Sequence, residues 1–357
     1  MAASQPIPSR FPKELKARQR RPITLSSEAL VQVTQPDKGP PVVIQATEPN
    51  LGLTAWGQHQ SQIRTHLQQG GILFRGFQVQ GAEDFGAFLQ AIAPPLMTYT
   101  YGSTPRSVVQ GQVYTSTEYP SNRSIPLHNE MAYTRHYPLK IAFHCVQPAQ
   151  QGGETPIADS RRVLARLPLS VRARFEEQGV LYIRNYGGGL DLPWQAAFQT
   201  DKRAAVEAYC RRADIEFEWW GDDQLQTRQV AQAIATHPAT GETVWFNQAH
   251  LFHVSSLDPD VRHDLLSELP PERLPRNAYY GDGSPIADAT LAVIREAYQA
   301  ETIRFPWQAG DVLLLDNLFM AHGRQPYVGA RRVLAAMAQP SDALSHTIGT
   351  PQREVYP

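Results

Sequence analysis

The strongest constraint on the fold is that two strand-like blocks, at 108–158 and 240–340, are separated by a stretch of different character. Residues 161–178 place Val163, Leu164, Leu167, Val171 and Phe175 at helical spacing. Residues 194–235 read as helix-rich in part, broken near Gly221. Strand blocks so far apart must share a core, which points to a double sheet of the jelly-roll type, mainly β with flanking helices. No linker-like stretch divides the chain, so the reading is one domain over 36–345, with a helical insertion or lid at about 190–235. Residues 1–35 read as an N-terminal extension and 346–357 as a C-terminal tail.

Further elements follow from local pattern. Residues 51–70 carry Trp56, Ile63 and Leu67 among polar neighbours, an amphipathic helix ended by Gly70-Gly71. Ile72 to Phe74 reads as a buried strand. Ala82 to Ala93 reads as a helix with Phe85, Phe88, Leu89 and Ile92 on one face, stopped by Pro94-Pro95. Strands are expected at Ile141 to Val146, Thr302 to Phe305, Asp311 to Leu315 and Arg332 to Ala338, with a turn at His237 to Gly241.

Composition narrows the function classes. The 357 residues include 33 basic and 34 acidic side chains, so no strong field favours nucleic acid. The basic run Lys13 to Arg21 reads as a solvated segment. No stretch is long and apolar enough to span a membrane. The first residues lack the apolar core of a secretory signal, and two cysteines, Cys145 and Cys210, make no disulfide framework. The expectation is a cytoplasmic protein of unassigned oligomeric state.

Of eleven histidines, only His128 has an acid two residues on, Glu130. On extended backbone, residues i and i+2 share a side, so both can grip one ion. A third ligand must come from elsewhere, and His322, after the apolar run ending at Leu315, is the candidate. Two imidazoles and one carboxylate form the facial triad of non-haem Fe(II) oxygenases, with positions left open for other ligands.

Five segments carry a wider likeness: GGILFRGF at 70–77, IPLHNEMAYT at 125–134, GGETPIADS at 152–160, WFNQAHLFH at 245–253 and DNLFMAHGRQPYVGARRVLAAM at 316–337. Through them the chain resembles TauD/TfdA-type Fe(II)/2-oxoglutarate dioxygenases, in the clavaminate-synthase-like branch that includes SyrP-like hydroxylases. The resemblance implies Fe(II) at His128, Glu130 and His322, with 2-oxoglutarate and O2 as co-substrates. It implies that Thr155 and an arginine hold 2-oxoglutarate. Match to the R-x-L element favours Arg332 over Arg331. Neighbours on a strand face opposite ways, so only one can enter the barrel. Both faces are apolar, and periodicity does not choose. Glu130 stands where many members have Asp, and a carboxylate there argues against a halogenase.

The implied reaction hydroxylates an unactivated C–H bond while 2-oxoglutarate becomes succinate and CO2, with desaturation or ring closure as variants. The SyrP-like branch suggests an amino acid, free or tethered to a carrier protein, as substrate. Asn247 and Arg123 are candidate substrate contacts. Asp316 is read as orienting His322 or capping its strand, His250 and His253 as structural or substrate-lining, and Trp219-Trp220 as packing. Two other classes compete. A zinc-type hydrolase could use the same three ligands, and a catalytically silent binding protein could retain the fold.

Overall fold

The computed structural model describes residues 30–341 apart from 37–38, 58–59 and 222. The basic run at 13–21, the tail and all but the end of the N-terminal extension lie outside the described residues.

The architecture is mostly β with helices on its flanks. A large sheet takes the strands Val31–Thr34, Val42–Ala46, Gly71–Arg75, Val312–Asp316, Pro138–Gln147, Arg332–Pro340, Val113–Thr115 and Val108–Gln110 in that order, and Leu96–Met97 also pairs with Arg332–Pro340. A small sheet joins Ile157–Asp159, Met320–Arg324 and Ile125–His128. The centre of the large sheet is thus built from the expected 141–146, 311–315 and 332–338 segments, and it unites residues almost two hundred apart in sequence.

Alternation along these strands feeds two separate cores. Leu313 and Leu315 point into the core shared with the small sheet, together with Phe143, Val333, Ala335 and Met337. Val312 and Leu314 point the other way, as do Leu334 and Ala336, and pack with Phe74, Phe85, Phe88 and Leu89. The last three lie on the helix Gly81–Ile92, which buries them completely. Burying one such aromatic or leucine side chain is worth roughly 1.5–3 kcal/mol. A sheet buried on both faces reads as continuous apolar sequence, which is why periodicity could not separate Arg331 from Arg332.

Several expectations need correction. Residues 51–70 form two short helices, Leu53–Gly57 and Gln60–Leu67. The 161–178 helix is also two, Ser160–Arg166 and Leu169–Gln178. Pro168 causes the break, since the residue before a proline avoids helical backbone. The largest difference is the insertion, which is not helical throughout. Helices Trp194–Phe198 and Arg203–Arg212 are followed by Glu216–Trp220 and Gln224–Ala231, and these join Val180–Tyr186 and Arg276–Tyr280 in a four-stranded antiparallel sheet. The second strand block is similarly interrupted, by helices from Ala249 to Ala300. Thr302 to Phe305 forms no strand and makes only the bridge of Ile303 with Ile157.

Candidate metal centre

The H-x-E segment ends one strand of the small sheet. His322 sits directly across the ladder from His128, in register, on the neighbouring strand. Close approach is possible because the next residue is Gly323, where a Cβ would lie 2.6 Å from the Ile125 carbonyl oxygen. The two imidazole centroids are 4.7 Å apart. Glu130 follows the strand in a turn, and its carboxylate comes 3.6 Å from Nε2 of His322. One ligand atom from each of the three residues falls within 4.8 Å of the other two.

That turn is clamped by neighbours. The Glu130 amide donates to the Asn317 side chain at 2.7 Å, and the Asn317 amide donates to the carbonyls of Glu130 and Pro138. Gln248 donates to the Asn129 carbonyl and His250 to the Leu127 carbonyl. The Nδ1–H of His128 bonds to the Pro126 carbonyl at 2.8 Å, which leaves its Nε2 lone pair for an ion.

Charge states also suit a cation. Burial pushes the His128 imidazole down to about 3, with His322 adding to the effect. Burial would raise the Glu130 carboxyl, but the Arg106 guanidinium at 2.6 Å wins and holds it at about 2. At neutral pH His128 is therefore a neutral imidazole and Glu130 a carboxylate, the forms that ligate metal. This donor set, with Nε2 of His322 turned toward the Glu130 carboxylate, fits a single divalent ion.

Beside the three residues lies a cavity lined by Arg106, Thr155, Phe143, Arg324 and Arg331, with both histidines. The Gly152-Gly153 turn places two of these. Both glycines have positive φ, and a Cβ on Gly152 would strike the Pro326 carbonyl at 2.2 Å. The turn presents Thr155, whose hydroxyl accepts from the Trp307 indole at 3.1 Å. Its Gly153 carbonyl accepts from Nε of Arg331 at 2.9 Å, aiming that guanidinium inward.

Arg331, rather than the Arg332 that the motif favoured, lines the cavity. Arg332 begins its strand exposed and on the parity of Leu334 and Ala336, the outward face. Arg331 shares the inward parity of Val333. The two proposed substrate contacts also lie elsewhere. Asn247 is completely buried, donating to the Ala233 carbonyl and accepting from the Ala249 amide. Arg123 is half-exposed and pairs with Asp258 at 2.6 Å. Asp316 does not touch His322. It caps the turn by accepting from the amides of Leu318 and Phe319, and pairs with Lys140 and His237. His250 and His253 are buried, bonded to the Leu127 carbonyl and the Ser255 hydroxyl. Trp219 packs against Trp194.

Three important residues escaped the sequence reading. Arg324 lies two positions after His322 on the same strand, so strand alternation could have found it. Asn317 sits in a quoted segment, but nothing marked it as the clamp of a turn 187 positions earlier. Arg106 carried no local signal.

An in-register His pair, an acid and an inward arginine together make a candidate metal centre beside a cavity. Comparison with known proteins gives the family. Residues 36–338 match the family described as "Taurine catabolism dioxygenase TauD, TfdA family", and the chain belongs to it. It is 43% identical over 298 residues to the dapdiamide synthesis protein DdaC of Enterobacter agglomerans, covering 84% of this chain and 91% of that one. It is 34% identical over 284 residues to a clavaminate synthase-like protein of Arabidopsis thaliana, covering 76% and 82%. In fold it is similar to a taurine dioxygenase from Burkholderia xenovorans, with TM-score 0.51 and 17% identity over 88% of this chain and 90% of that one. The PvcB protein of Pseudomonas aeruginosa gives TM-score 0.50 and 18% identity over 88% and 93%. The protein is thus an Fe(II)- and 2-oxoglutarate-dependent dioxygenase, with O2 as co-substrate.

Proposed function

We propose that His128, Glu130 and His322 hold the iron, that Arg331 and Thr155 hold 2-oxoglutarate, and that the enzyme hydroxylates an unactivated C–H bond of an amino acid or a small molecule derived from one. One observation carries this reading: the three ligand atoms converge within 4.8 Å beside a cavity into which Arg331 and Thr155 both open. Bound iron supplies the oxidising chemistry, with 2-oxoglutarate giving succinate and CO2. The protein's part is positioning and exclusion of water. The Arg331 guanidinium offers a carboxylate paired hydrogen bonds, and Gly153 fixes its approach. Phe143 packs 4.9 Å from the His322 ring and keeps that side of the site dry.

The two sheets are read as a double-stranded β-helix, or jelly roll, within one oxygenase domain over 36–345. Residues 190–235 form its lid, here helix and sheet together. The substrate is a small molecule, free or carrier-tethered, and the enzyme is read as cytoplasmic. No helix among the described residues is long and apolar enough to cross a membrane. A zinc hydrolase would use the same ligands but give Arg331 and Thr155 no task, and a silent binding protein would have no need of a complete ligand set.

The test is succinate release with Fe(II), 2-oxoglutarate and a panel of free amino acids and aminoacyl carriers. Turnover should require both iron and 2-oxoglutarate, and His128→Ala or Glu130→Ala should abolish it. Substrate turnover unaffected by withdrawing 2-oxoglutarate would overturn the reading.

A further inference from the structure

Trp307 stands behind the cavity rather than in it. It lies between the helix Asp288–Ala300 and the strand Val312–Asp316, and buries its ring in the same core as Phe143 and Val333. Its indole N–H donates to the Thr155 hydroxyl at 3.1 Å. Thr155 lines the cavity and Trp307 does not. The segment that carries the indole is braced on both flanks. Before it, Ile303 exchanges backbone hydrogen bonds with Ile157, two residues on from Thr155. After it, the Asp311 carboxylate accepts from the Gln308 amide at 2.8 Å and pairs with Arg75 at 2.7 Å. Arg75 also donates to the Pro306 carbonyl at 3.0 Å. The arginine of GGILFRGF lines no part of the cavity, and its task is to hold the loop that carries Trp307.

Donor chemistry gives this contact a direction. An indole nitrogen only donates, whereas a hydroxyl has one proton to give and lone pairs with which to accept. Thr155 must therefore accept from Trp307, and its own proton is left for another group. The hydroxyl makes no other hydrogen bond among the described residues, so that proton is available to a ligand in the cavity. Arg331 is directed in the same way. Its Nε is engaged by the Gly153 carbonyl, and its terminal nitrogens make only a long 3.5 Å contact with the Ser116 hydroxyl. A seat built of donors alone takes a group that only accepts, an ionised carboxylate.

We propose that Trp307 is a positioning residue for the co-substrate: it fixes the Thr155 hydroxyl as a donor and so makes the seat specific for an ionised carboxylate. This inference rests on the assignment of Arg331 and Thr155 to 2-oxoglutarate above. It adds to them a residue that touches neither the co-substrate nor the metal and acts only through Thr155.

The full-length protein loaded with Zn(II), an inert stand-in for iron, provides the test. Calorimetry gives its affinity for 2-oxoglutarate. The Trp307 indole N–H resonance, identified by its absence in Trp307→Phe, reports the contact itself. Trp307→Phe keeps a ring in the core and removes the donor. It should weaken 2-oxoglutarate binding about fivefold, the worth of one neutral hydrogen bond, and leave Zn(II) affinity unchanged. Thr155→Val removes the hydroxyl with little change of shape. It should weaken binding at least as much and shift the Trp307 resonance upfield as the indole loses its acceptor. The double variant should bind no more weakly than Thr155→Val alone, because the indole works through that hydroxyl. Independent, additive losses would reduce Trp307 to packing and overturn the proposal. So would wild-type 2-oxoglutarate affinity in Trp307→Phe, or an equal loss of Zn(II) affinity there. Thr155→Ser, which keeps the hydroxyl, guards against a valine variant that fails to fold. In that background Trp307→Phe should again weaken binding about fivefold, and no loss there overturns the proposal. Should wild-type protein fail to bind 2-oxoglutarate at all, the assignment of the seat fails instead. The indole resonance in Thr155→Val then still decides whether Trp307 holds the hydroxyl, and an unmoved resonance refutes it.

Discussion

At the scale of single residues, adjacent arginines have opposite fates: the Gly153 carbonyl holds Arg331 against the cavity, whereas Arg332 opens its strand exposed. Burial, with Arg324 nearby, pushes the Arg331 guanidinium down to about 10, still charged at neutral pH. Arg331→Ala should raise the 2-oxoglutarate concentration needed for half-maximal succinate release by about a hundredfold, the loss of a buried charge-assisted pair. Arg332→Ala should leave it near wild type, and equal effects would return the assignment to the sequence motif. His250 sets a pH limit on stability. Burial pushes its imidazole from an ordinary 6.5 down to about 4. Between those values the unfolded chain binds a proton that the folded chain refuses, so stability falls as pH drops from 6.5 and the penalty is complete below about 4. The full cost is about 3 kcal/mol. His250→Gln, which can still donate to the Leu127 carbonyl, should flatten the fall in urea midpoint of the metal-free protein between pH 7 and pH 4.5. An unchanged slope would show that another group sets it.

At the scale of elements, the site depends on how closely Ile125–His128 and Met320–Arg324 approach. The in-register pairing of His128 with His322 makes two distant candidate ligands into neighbours. A methyl group at 323 would meet backbone, which cannot swing aside as a flexible side chain can. Gly323→Ala is therefore expected to cost about 1–3 kcal/mol in thermal or urea denaturation. It should also weaken Co(II) binding measured by calorimetry, because the strand carrying His128 must move. Wild-type affinity in that variant would mean that the ladder does not set the ligand spacing. The helix Gly81–Ile92 shows the opposite situation. Its apolar face was legible from spacing, and it occupies the predicted residues almost to the end.

Over the whole molecule, a site assembled from positions 128, 130 and 322 exists only when the chain is folded, so metal and 2-oxoglutarate should stabilise the native state by mass action. Each ligand at a hundredfold excess over its dissociation constant should add about 2.7 kcal/mol and raise Tm accordingly. Scanning the protein with a chelator, with Fe(II) under anaerobic conditions, and with Fe(II) plus 2-oxoglutarate checks this. Three coincident curves would speak against a preformed centre. The sequence by itself determined the metal-binding residues as candidates, the GG-x-T turn and the central strands, because ligand type and short-range spacing are written locally. It misjudged the insertion, whose strands Glu216–Trp220 and Gln224–Ala231 are stabilised by pairing with Val180–Tyr186 and Arg276–Tyr280 rather than by their own periodicity. Only the tertiary structure decided which arginine enters the cavity and that Arg106 stands beside Glu130. Both faces of the large sheet are covered, one by the small sheet and one by helices, so the pattern of apolar residues is the same on each side. Which side is inside is settled only when the layers close.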